Sequence, residues 1–320
     1  MLTAGFITGC AATEHTSRDT VPVRPPEPAA VRFSVNLPDE LPDELTIPLR
    51  EHRGYLFAPA RINGRSAGLF MFDTGSNLPV ISTGVAERLN LPVAGTSSAV
   101  GIGGSQGFQY RTIQHLEFGG LEVKAKRVAA ISLHGMSRGI GASVAGLIGI
   151  RELNGLPFTL DYSDNTLTIY RPDAFVPPEG VRPTRARFDF AGLPVVGAEI
   201  GRGHRVYLIL DSGADNDLTL PKKCLSLWPD IVSTPGSGAG RSSGIGGAVA
   251  STRTWIKTLK VFGLTLHDMP VQFEQAPDIF NRQPRPIGRI GGSFLKNFRL
   301  TVDPKRGLIW AEWLPGRQKP

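Results

Sequence analysis

Hydrophobic residues along the chain come in short runs that turn-forming residues interrupt. The runs Phe70–Phe72 and Leu208–Leu210, for example, are each followed directly by an aspartate, with a glycine two residues after it. Long stretches with the apolar spacing of an amphipathic helix are scarce, although Ser82–Leu91 is compatible with a short helix capped by Ser82 or Thr83. The pattern predicts an all-β protein with many tight turns.

The order of these runs is repeated within the chain. Matching segments are separated by 138 residues, then 143, then 142, so a small insertion accounts for the drift. Such a repeat predicts two similar halves related by an approximate two-fold axis. The matching segments are RINGRSAGLFMFDTGS at 61–76 and EIGRGHRVYLILDSGA at 199–214, GIGG at 101–104 and at 244–247, and residues 147–170 and 289–312.

Local composition adds boundaries to this plan. Asn63-Gly64 is a strong two-residue hairpin signal in the first half, and Gly201-Arg202-Gly203 takes its place in the second. The predicted organisation is a lipoprotein signal segment at 1–10, a proline-rich tether at 11–45, an N-terminal lobe at 46–171, a linker at 172–187 and a C-terminal lobe at 188–316.

The N-terminus predicts a lipid anchor. Ile7-Thr8-Gly9-Cys10 has the form of a bacterial lipobox, although no Lys or Arg precedes it and the apolar region is short. An ordinary frayed terminus is the alternative. We expect lipidation at Cys10, and hence a periplasmic protein held at the bacterial cell envelope by its lipid. Cys10 and Cys224 have no spacing typical of a disulfide framework or a metal site.

Two acidic turns carry the candidate chemistry. Asp73–Gly75 and Asp211–Gly213 occupy matching positions of the repeat, each directly after an aliphatic or aromatic strand. A carboxylate at the end of a buried strand is costly unless it is hydrogen-bonded or used, and the glycine allows a close backbone turn. On a two-fold axis the carboxyls of Asp73 and Asp211 become neighbours that share one proton. Such a pair supports general acid–base hydrolysis by an activated water.

The chain resembles the pepsin and retropepsin class of aspartic peptidases over roughly residues 55–314, and is closer to a fused retropepsin-like pair than to pepsin. FDTGS and LDSGA resemble the catalytic turns, and Leu147-Ile148-Gly149 resembles the segment that packs behind them. The second copy departs from the pattern, because Arg289 stands where an aliphatic residue is usual. The GIGG repeats resemble retropepsin flaps, formed by Gly101, Ile102, Gly103 and Gly104 and by Gly244, Ile245, Gly246 and Gly247.

The resemblance implies an aspartic endopeptidase with two pseudo-symmetric lobes and a cleft between them. Asp73 and Asp211 would be the catalytic pair, while Thr74, Gly75, Ser212 and Gly213 would stabilise the two turns. The substrate would be an extended peptide or protein chain, covered by the flaps. No cofactor and no metal are expected, and a single chain is expected to act as a monomer.

Other functions make different demands on the sequence. An inactive peptide- or glycan-binding envelope lipoprotein with the same fold remains open, as does a two-carboxylate glycosidase. The net charge is +7, but the basic residues are scattered along the chain, which argues against a nucleic-acid partner. The G-x-S-x-G pattern at 240–244 is expected to be a flexible loop, because it lacks a strand–helix context. Asp161 and Asp303 match across the repeat but are expected to serve hairpins.

Overall fold

A computed structural model describes residues 42–101, 104–123, 125–189, 192–233, 238–275 and 288–314. All of them belong to one compact unit, Phe33–Pro320. Cys10, Ile102 and Gly103 of the predicted sites lie outside the described residues. No helix in the described ranges is long and apolar enough to cross a bilayer.

The described residues are mostly β-strand, which confirms the predicted all-β class. The strands are β1 (Glu44–Pro48), β2 (Arg50–His52), β3 (Tyr55–Ile62), β4 (Arg65–Phe72), β5 (Val80–Ser82), β6 (Val93–Gly101), β7 (Gly104–Thr112), β8 (Leu116–Phe118), β9 (Leu121–Val123), β10 (Arg127–Ile131), β11 (Gly146–Ile148), β12 (Phe158–Asp161), β13 (Thr166–Tyr170), β14 (Thr184–Phe188), β15 (Pro194–Ile200), β16 (His204–Asp211), β17 (Leu218–Pro221), β18 (Gly238–Gly244), β19 (Gly247–Val261), β20 (Leu264–Glu274), β21 (Gly288–Gly291), β22 (Phe298–Asp303) and β23 (Leu308–Trp313). The α-helices are α1 (Thr83–Arg88), α2 (His134–Ile140), α3 (Lys223–Leu227) and α4 (Gly292–Leu295), with 3₁₀ helices at Ile150–Leu153 and Pro229–Ile231.

Two sheets are formed by the described strands. One has ten strands, in the order β6-β7-β10-β5-β11-β4-β3-β8-β9 with β2 paired to β3. The other has thirteen, in the order β1-β13-β12-β22-β23-β14-β15-β16-β21-β17-β20-β19-β18. In each sheet a short strand, β11 or β21, lies parallel to the strand that leads into an acidic turn.

The thirteen-stranded sheet joins the two repeats. Strands β12 and β22 pair antiparallel with Thr159 opposite Thr301, and their hydroxyl oxygens lie 2.8 Å apart in the buried interior. These residues are 142 positions apart, which is the repeat offset in this part of the chain. Equivalent residues of the two copies therefore meet within one continuous sheet.

Local sequence explains several of these elements. Asn63 and Gly64 have φ angles of 50° and 75°, so the predicted hairpin between β3 and β4 closes with a tight left-handed turn. Helix α1 lies within the predicted segment, and the Ser82 hydroxyl accepts a hydrogen bond from the Val85 backbone N–H at 3.2 Å. This side-chain acceptor satisfies a donor that the first helical turn leaves free.

The structure corrects some predicted boundaries. Strand β1 begins at Glu44, so the last residues of the predicted tether 11–45 belong to a sheet. Strand β14 begins at Thr184, inside the predicted linker 172–187. Strand β1 pairs with β13, and strand β14 pairs with β23, each a hairpin strand of one repeat. The sequences of β1 and β14 are too polar to be predicted as strands without these partners. Residues 240–244, expected to be a flexible loop, belong instead to strand β18.

A large hydrophobic core includes residues of both sheets and reaches the end of β4. Phe72, which is 1% exposed, stacks on Phe118 with ring centroids 6.4 Å apart and meets Phe158 edge-on at 5.9 Å. Such aromatic pairs add stabilisation beyond their buried area. They fix the end of β4, and therefore the position of the next residue, Asp73.

Candidate active site

Two strands bring the acidic turns to the interior of the protein. Asp73 directly follows β4, and its backbone N–H donates to the Ile148 carbonyl oxygen at 2.9 Å. Asp211 is the last residue of β16 and pairs with Gly291 of β21. Each aspartate is thus held by a neighbouring parallel strand, and each turn begins where a rigid strand ends.

The residues after the aspartates lock the turns to each other. The Thr74 hydroxyl donates to the Leu210 carbonyl oxygen at 2.7 Å, and the Ser212 hydroxyl donates to the Phe72 carbonyl oxygen at 3.0 Å. In return, the backbone N–H of Thr74 donates to Ser212 Oγ and that of Ser212 donates to Thr74 Oγ1, both at 3.0 Å. Thr74 is 1% exposed and Ser212 is 3% exposed, so these bonds are shielded from water.

The glycines bring the two carboxyl groups together. The N–H of Gly75 donates to Asp73 Oδ1 at 2.8 Å, and that of Gly213 donates to Asp211 Oδ1 at 3.1 Å. A Cβ on Gly75 would lie 2.6 Å from Asp211 Oδ1, and one on Gly213 would lie 2.5 Å from Asp73 Oδ1. Each carboxyl therefore packs against the glycine of the opposite turn. Any side chain at that glycine would occupy the space of the carboxyl.

The two carboxyl groups are electrostatically unequal. Burial, and then the charge of Asp211, raise the pKa of Asp73 well above its usual range. Burial also raises the pKa of Asp211, but the positive charge of Arg289 opposes that rise. A hydrogen bond between the carboxyls favours the protonated form of Asp73 and the ionised form of Asp211. At a pH between the two titration steps, such a coupled pair holds one proton.

A buried ion pair lies beside Asp211. Arg289 Nε is 3.8 Å from Asp211 Oδ2, and Arg289 Nη2 donates to Glu274 Oε1 at 2.5 Å. The side chains of Arg289 and Glu274 are 7% and 2% exposed. Arg289 was noted in the sequence as a departure from the aliphatic pattern, whereas nothing in the sequence pointed to Glu274 as its partner.

A mostly apolar cavity of about 200 Å³ opens in front of the carboxyls. Asp73, Asp211 and Arg289 line it together with Ile245. The remaining lining residues are Gly75, Ser76, Asn77, Leu78, Val80, Ala99, Phe108, Ala129, Ile131, Met136, Leu147, Leu193, Ile209, Gly213 and Gly244. Two larger depressions, of about 420 and 490 Å³, are lined by neither Asp73 nor Asp211.

The glycine hairpins meet over this cavity. The N–H of Gly246 donates to Gln106 Oε1 at 3.1 Å, and a Cβ on Gly246 would clash with the backbone of Gly104. Ile245 packs against the apolar residues that line the Asp73 side, including Phe108 and Leu147. Gln106 lay outside the predicted flap motif, and its position two residues past the GIGG glycines was the only sequence signal for it.

The other matched aspartates lie away from the cavity. Asp161 accepts from the Ser163 N–H at 2.8 Å and from Arg299 Nε at 2.6 Å, and these partners lower the pKa of Asp161 against the effect of burial. Asp303 accepts from the Arg306 N–H at 3.0 Å. Both carboxylates close the turns of terminal hairpins, as the sequence predicted.

Comparison with known proteins bears on one part of the chain. Residues 58–151, less than a third of the sequence, match the family model described as aspartyl protease. This segment contains Asp73, the first glycine hairpin and Leu147-Ile148-Gly149. No curated protein matches the chain. The match, which includes the first of the two acidic turns, supports an aspartic protease family for this protein.

Proposed function

We propose that the protein is an aspartic endopeptidase that hydrolyses peptide bonds with a water activated between Asp73 and Asp211. The observation that carries the proposal is the joining of two D-[T/S]-G turns, from separate repeats, into one hydrogen-bonded carboxyl pair. The family match of residues 58–151 supports the same activity for the segment that contains Asp73.

The proposed architecture is two pseudo-symmetric lobes with the cleft between them. The reciprocal bonds of Thr74 and Ser212 support it, since each hydroxyl reaches the strand of the opposite repeat. The pairing of Thr159 with Thr301 supports it as well, because residues related by the repeat face each other. An approximate two-fold axis would pass through both points.

In the proposed reaction, the Asp211 carboxylate takes a proton from water while the water oxygen adds to the peptide carbonyl carbon. Asp73 gives its proton to the carbonyl oxygen, which produces a neutral tetrahedral diol. The diol then collapses. Asp73 takes a proton from one diol hydroxyl, the C–N bond breaks, and the leaving nitrogen receives a proton from Asp211, which restores the starting protonation of the pair. Raised pKa values suit Asp73 to hold a proton in the range where Asp211 is ionised.

The proposed substrate is an extended peptide or protein chain. Strands β6 and β7 on one side, and β18 and β19 on the other, form hairpins over the cavity whose edges are suited to pair with a peptide backbone. Apolar lining residues would receive hydrophobic side chains next to the scissile bond. We propose that this chemistry requires no cofactor and that one chain suffices.

Two alternative functions make different demands on the site. A glycosidase places its two carboxyls at least about 5 Å apart to admit the sugar or a water, whereas those of Asp73 and Asp211 are hydrogen-bonded to each other. An inactive peptide- or glycan-binding protein would not need unequal carboxyls. It remains the alternative that turnover must exclude.

Digestion of a broad peptide library tests the proposed function. Wild type should cleave peptides, whereas Asp73→Asn and Asp211→Asn should each abolish cleavage and retain the fold. Because the two carboxyls act as a unit, the double variant should be little worse than either single one. Asp161→Asn is the control, since the Asp161 carboxylate closes a hairpin and does not line the cavity. A wild-type protein that protects library peptides without cutting them would establish the binding function instead.

We further propose that Cys10 carries a lipid that holds the protein at the bacterial cell envelope. The lipobox-like Ile7-Thr8-Gly9-Cys10 and the proline-rich segment after it support this proposal. Mass spectrometry of the membrane fraction of the native host should find a mature chain that begins at diacylated Cys10. An intact Met1 on a protein in the soluble fraction would contradict it.

A further inference from the structure

We propose that Arg289 is a positioning residue that makes the two carboxyls unequal, keeping the negative charge of the pair on Asp211 and the shared proton on Asp73. The inference rests on the proposed function and assigns the acid and the base within it. It concerns a residue that lines the cavity but belongs to neither acidic turn.

The strand register places Arg289 beside the base. In β21, Arg289 lies opposite Ile209 of β16, two residues before Asp211, and opposite Thr219 of β17. Its Nε is 3.8 Å from Asp211 Oδ2 and has no hydrogen-bond partner among the described residues. A buried cation within about 4 Å of a carboxylate favours the charged form of that carboxylate.

Glu274 holds the guanidinium in this position. Its Oε1 accepts from Arg289 Nη2 at 2.5 Å, and its own backbone oxygen accepts from the Lys222 N–H at 2.7 Å. Because a buried ion pair is directional, Glu274 fixes the rotamer of Arg289 and leaves Nε facing Asp211. Glu274 also cancels part of the positive charge, so the field at Asp211 is smaller than that of a lone arginine.

The first repeat contains no such charge. The residue 142 positions before Arg289 is Leu147, which pairs with Met71 of β4 and Val80 of β5 and is 1% exposed. Asp73 therefore has an aliphatic neighbour where Asp211 has a cation. Without such a difference, two carboxyls related by an approximate two-fold axis would bind the shared proton equally well.

Other groups around the pair do not supply this asymmetry. Tyr55 and Tyr162 are buried near both aspartates. Burial raises the pKa of each tyrosine, and so do the nearby carboxylates, Asp215 first for Tyr55 and Asp211 first for Tyr162, so both stay neutral. Asp215 adds negative charge that raises the pKa of Asp211, which works against an ionised Asp211. Among these neighbours, Arg289 favours the charge on Asp211.

The test compares two variants that break the same ion pair but change the charge at Asp211 in opposite directions. Arg289→Leu, which installs the residue of the first repeat, removes the cation. The acidic limb of the pH profile of kcat/KM should then move up by about one pH unit. Glu274→Gln leaves the cation uncompensated, and the same limb should move down. Arg289→Lys keeps the charge and should stay close to wild type.

A purely structural ion pair gives a different result. Loss of structure would lower kcat in Arg289→Leu and Glu274→Gln alike and leave the acidic limb where it is, and that outcome would overturn the proposal. Thermal unfolding measured beside the kinetics separates stability from titration. Arg289→Leu/Glu274→Gln avoids an isolated buried charge and, if either single variant fails to fold, should show the upward shift by itself.

Carboxyl titration of the wild type keeps this inference separate from the proposed function. With ¹³C-labelled aspartate, and with Asp73→Asn and Asp211→Asn to assign the signals, Asp211 should ionise first as the pH rises. A wild type in which Asp73 ionises first would refute the role of Arg289, whether or not the protein cleaves peptides. A protein that cleaves no peptide but ionises Asp211 first would retain the asymmetry and lose the peptidase function.

Discussion

Thr74 and Ser212 connect the two repeats at a point shielded from water. Each hydroxyl donates to a carbonyl of the opposite strand and accepts from the backbone N–H of its counterpart. Removing one hydroxyl therefore leaves a buried N–H and a buried C=O without partners. These hydroxyls hold the two turns together, whereas the proposed hydrolysis uses the carboxyls.

Ser212→Ala is expected to lower the free energy of unfolding by about 2–3 kcal/mol, because it orphans two buried backbone groups. Urea unfolding measures the change. Thr46→Ala is the matched control, since the Thr46 hydroxyl bonds to Thr168 at an exposed position and its loss should cost less than about 1 kcal/mol. Equal losses for the two variants would show that the Ser212 bonds contribute no more than surface ones.

Glu152 is a second residue with a titration that the fold alters. It is fully buried in the 3₁₀ helix after β11, and its Oε2 accepts from the Gly149 N–H at 2.8 Å. Burial raises the pKa of Glu152 from 4.5 to about 7. The folded state therefore holds the proton more tightly than the unfolded state does, and stability is lost as the pH rises from about 4.5 through about 7.

Glu152→Gln removes this titration and retains an acceptor for Gly149. Relative to wild type, the variant should be more stable at pH 8 than at pH 4 by about 3 kcal/mol, the free energy that corresponds to the pKa shift. Urea unfolding of both proteins at the two pH values measures the difference. A stability difference that does not change with pH would contradict the raised pKa.

At the scale of elements, the two glycine hairpins form a cover that is closed by direct contact. Gly246 has a φ of 86° and approaches the backbone of Gly104 so closely that a side chain has no room. A hairpin tip in this conformation favours glycine on two counts, the positive φ and the close approach. Ile245 beside it reaches the apolar lining of the cavity.

Gly246→Ala should separate the hairpins and raise KM several-fold, with faster amide hydrogen exchange at the tips of β18 and β19. Gly247→Ala is the matched control. Gly247 has a similar positive φ of 113° but no atom within 4 Å of an added Cβ, so that variant carries backbone strain without the clash. If both variants behave alike, backbone strain rather than contact between the hairpins controls access to the cavity.

The sequence predicted elements better than their long-range partners. The repeat located both acidic turns, and local signals located the Asn63-Gly64 hairpin and helix α1, because each depends on residues close in the chain. The pairing of β12 with β22 was not predicted, since alternating apolar residues do not reveal which distant strand lies alongside. The same limit applies to the site. Arg289 was conspicuous by its type, but Glu274 became its partner only through the register of β17, β20 and β21.

At the scale of the whole molecule, both aspartates and both strands of the β12–β22 pair belong to one chain. Specific activity should therefore stay constant on dilution far below micromolar concentration. Mixing Asp73→Asn with Asp211→Asn gives a sharper measurement. The mixture should stay inactive, because each molecule carries one defective dyad of its own. Recovery of cleavage in the mixture would show that the dyad forms between molecules.

The difference between Leu147 and Arg289 also bears on how the two halves can evolve. An enzyme assembled from two copies of one half-length gene product would carry every substitution twice, so a cation installed beside one carboxyl would also stand beside the other. With both halves encoded in one reading frame, mutation acts on each side of the proposed axis separately. The two carboxyls can then acquire different pKa values through substitutions in one half alone, before any substrate binds.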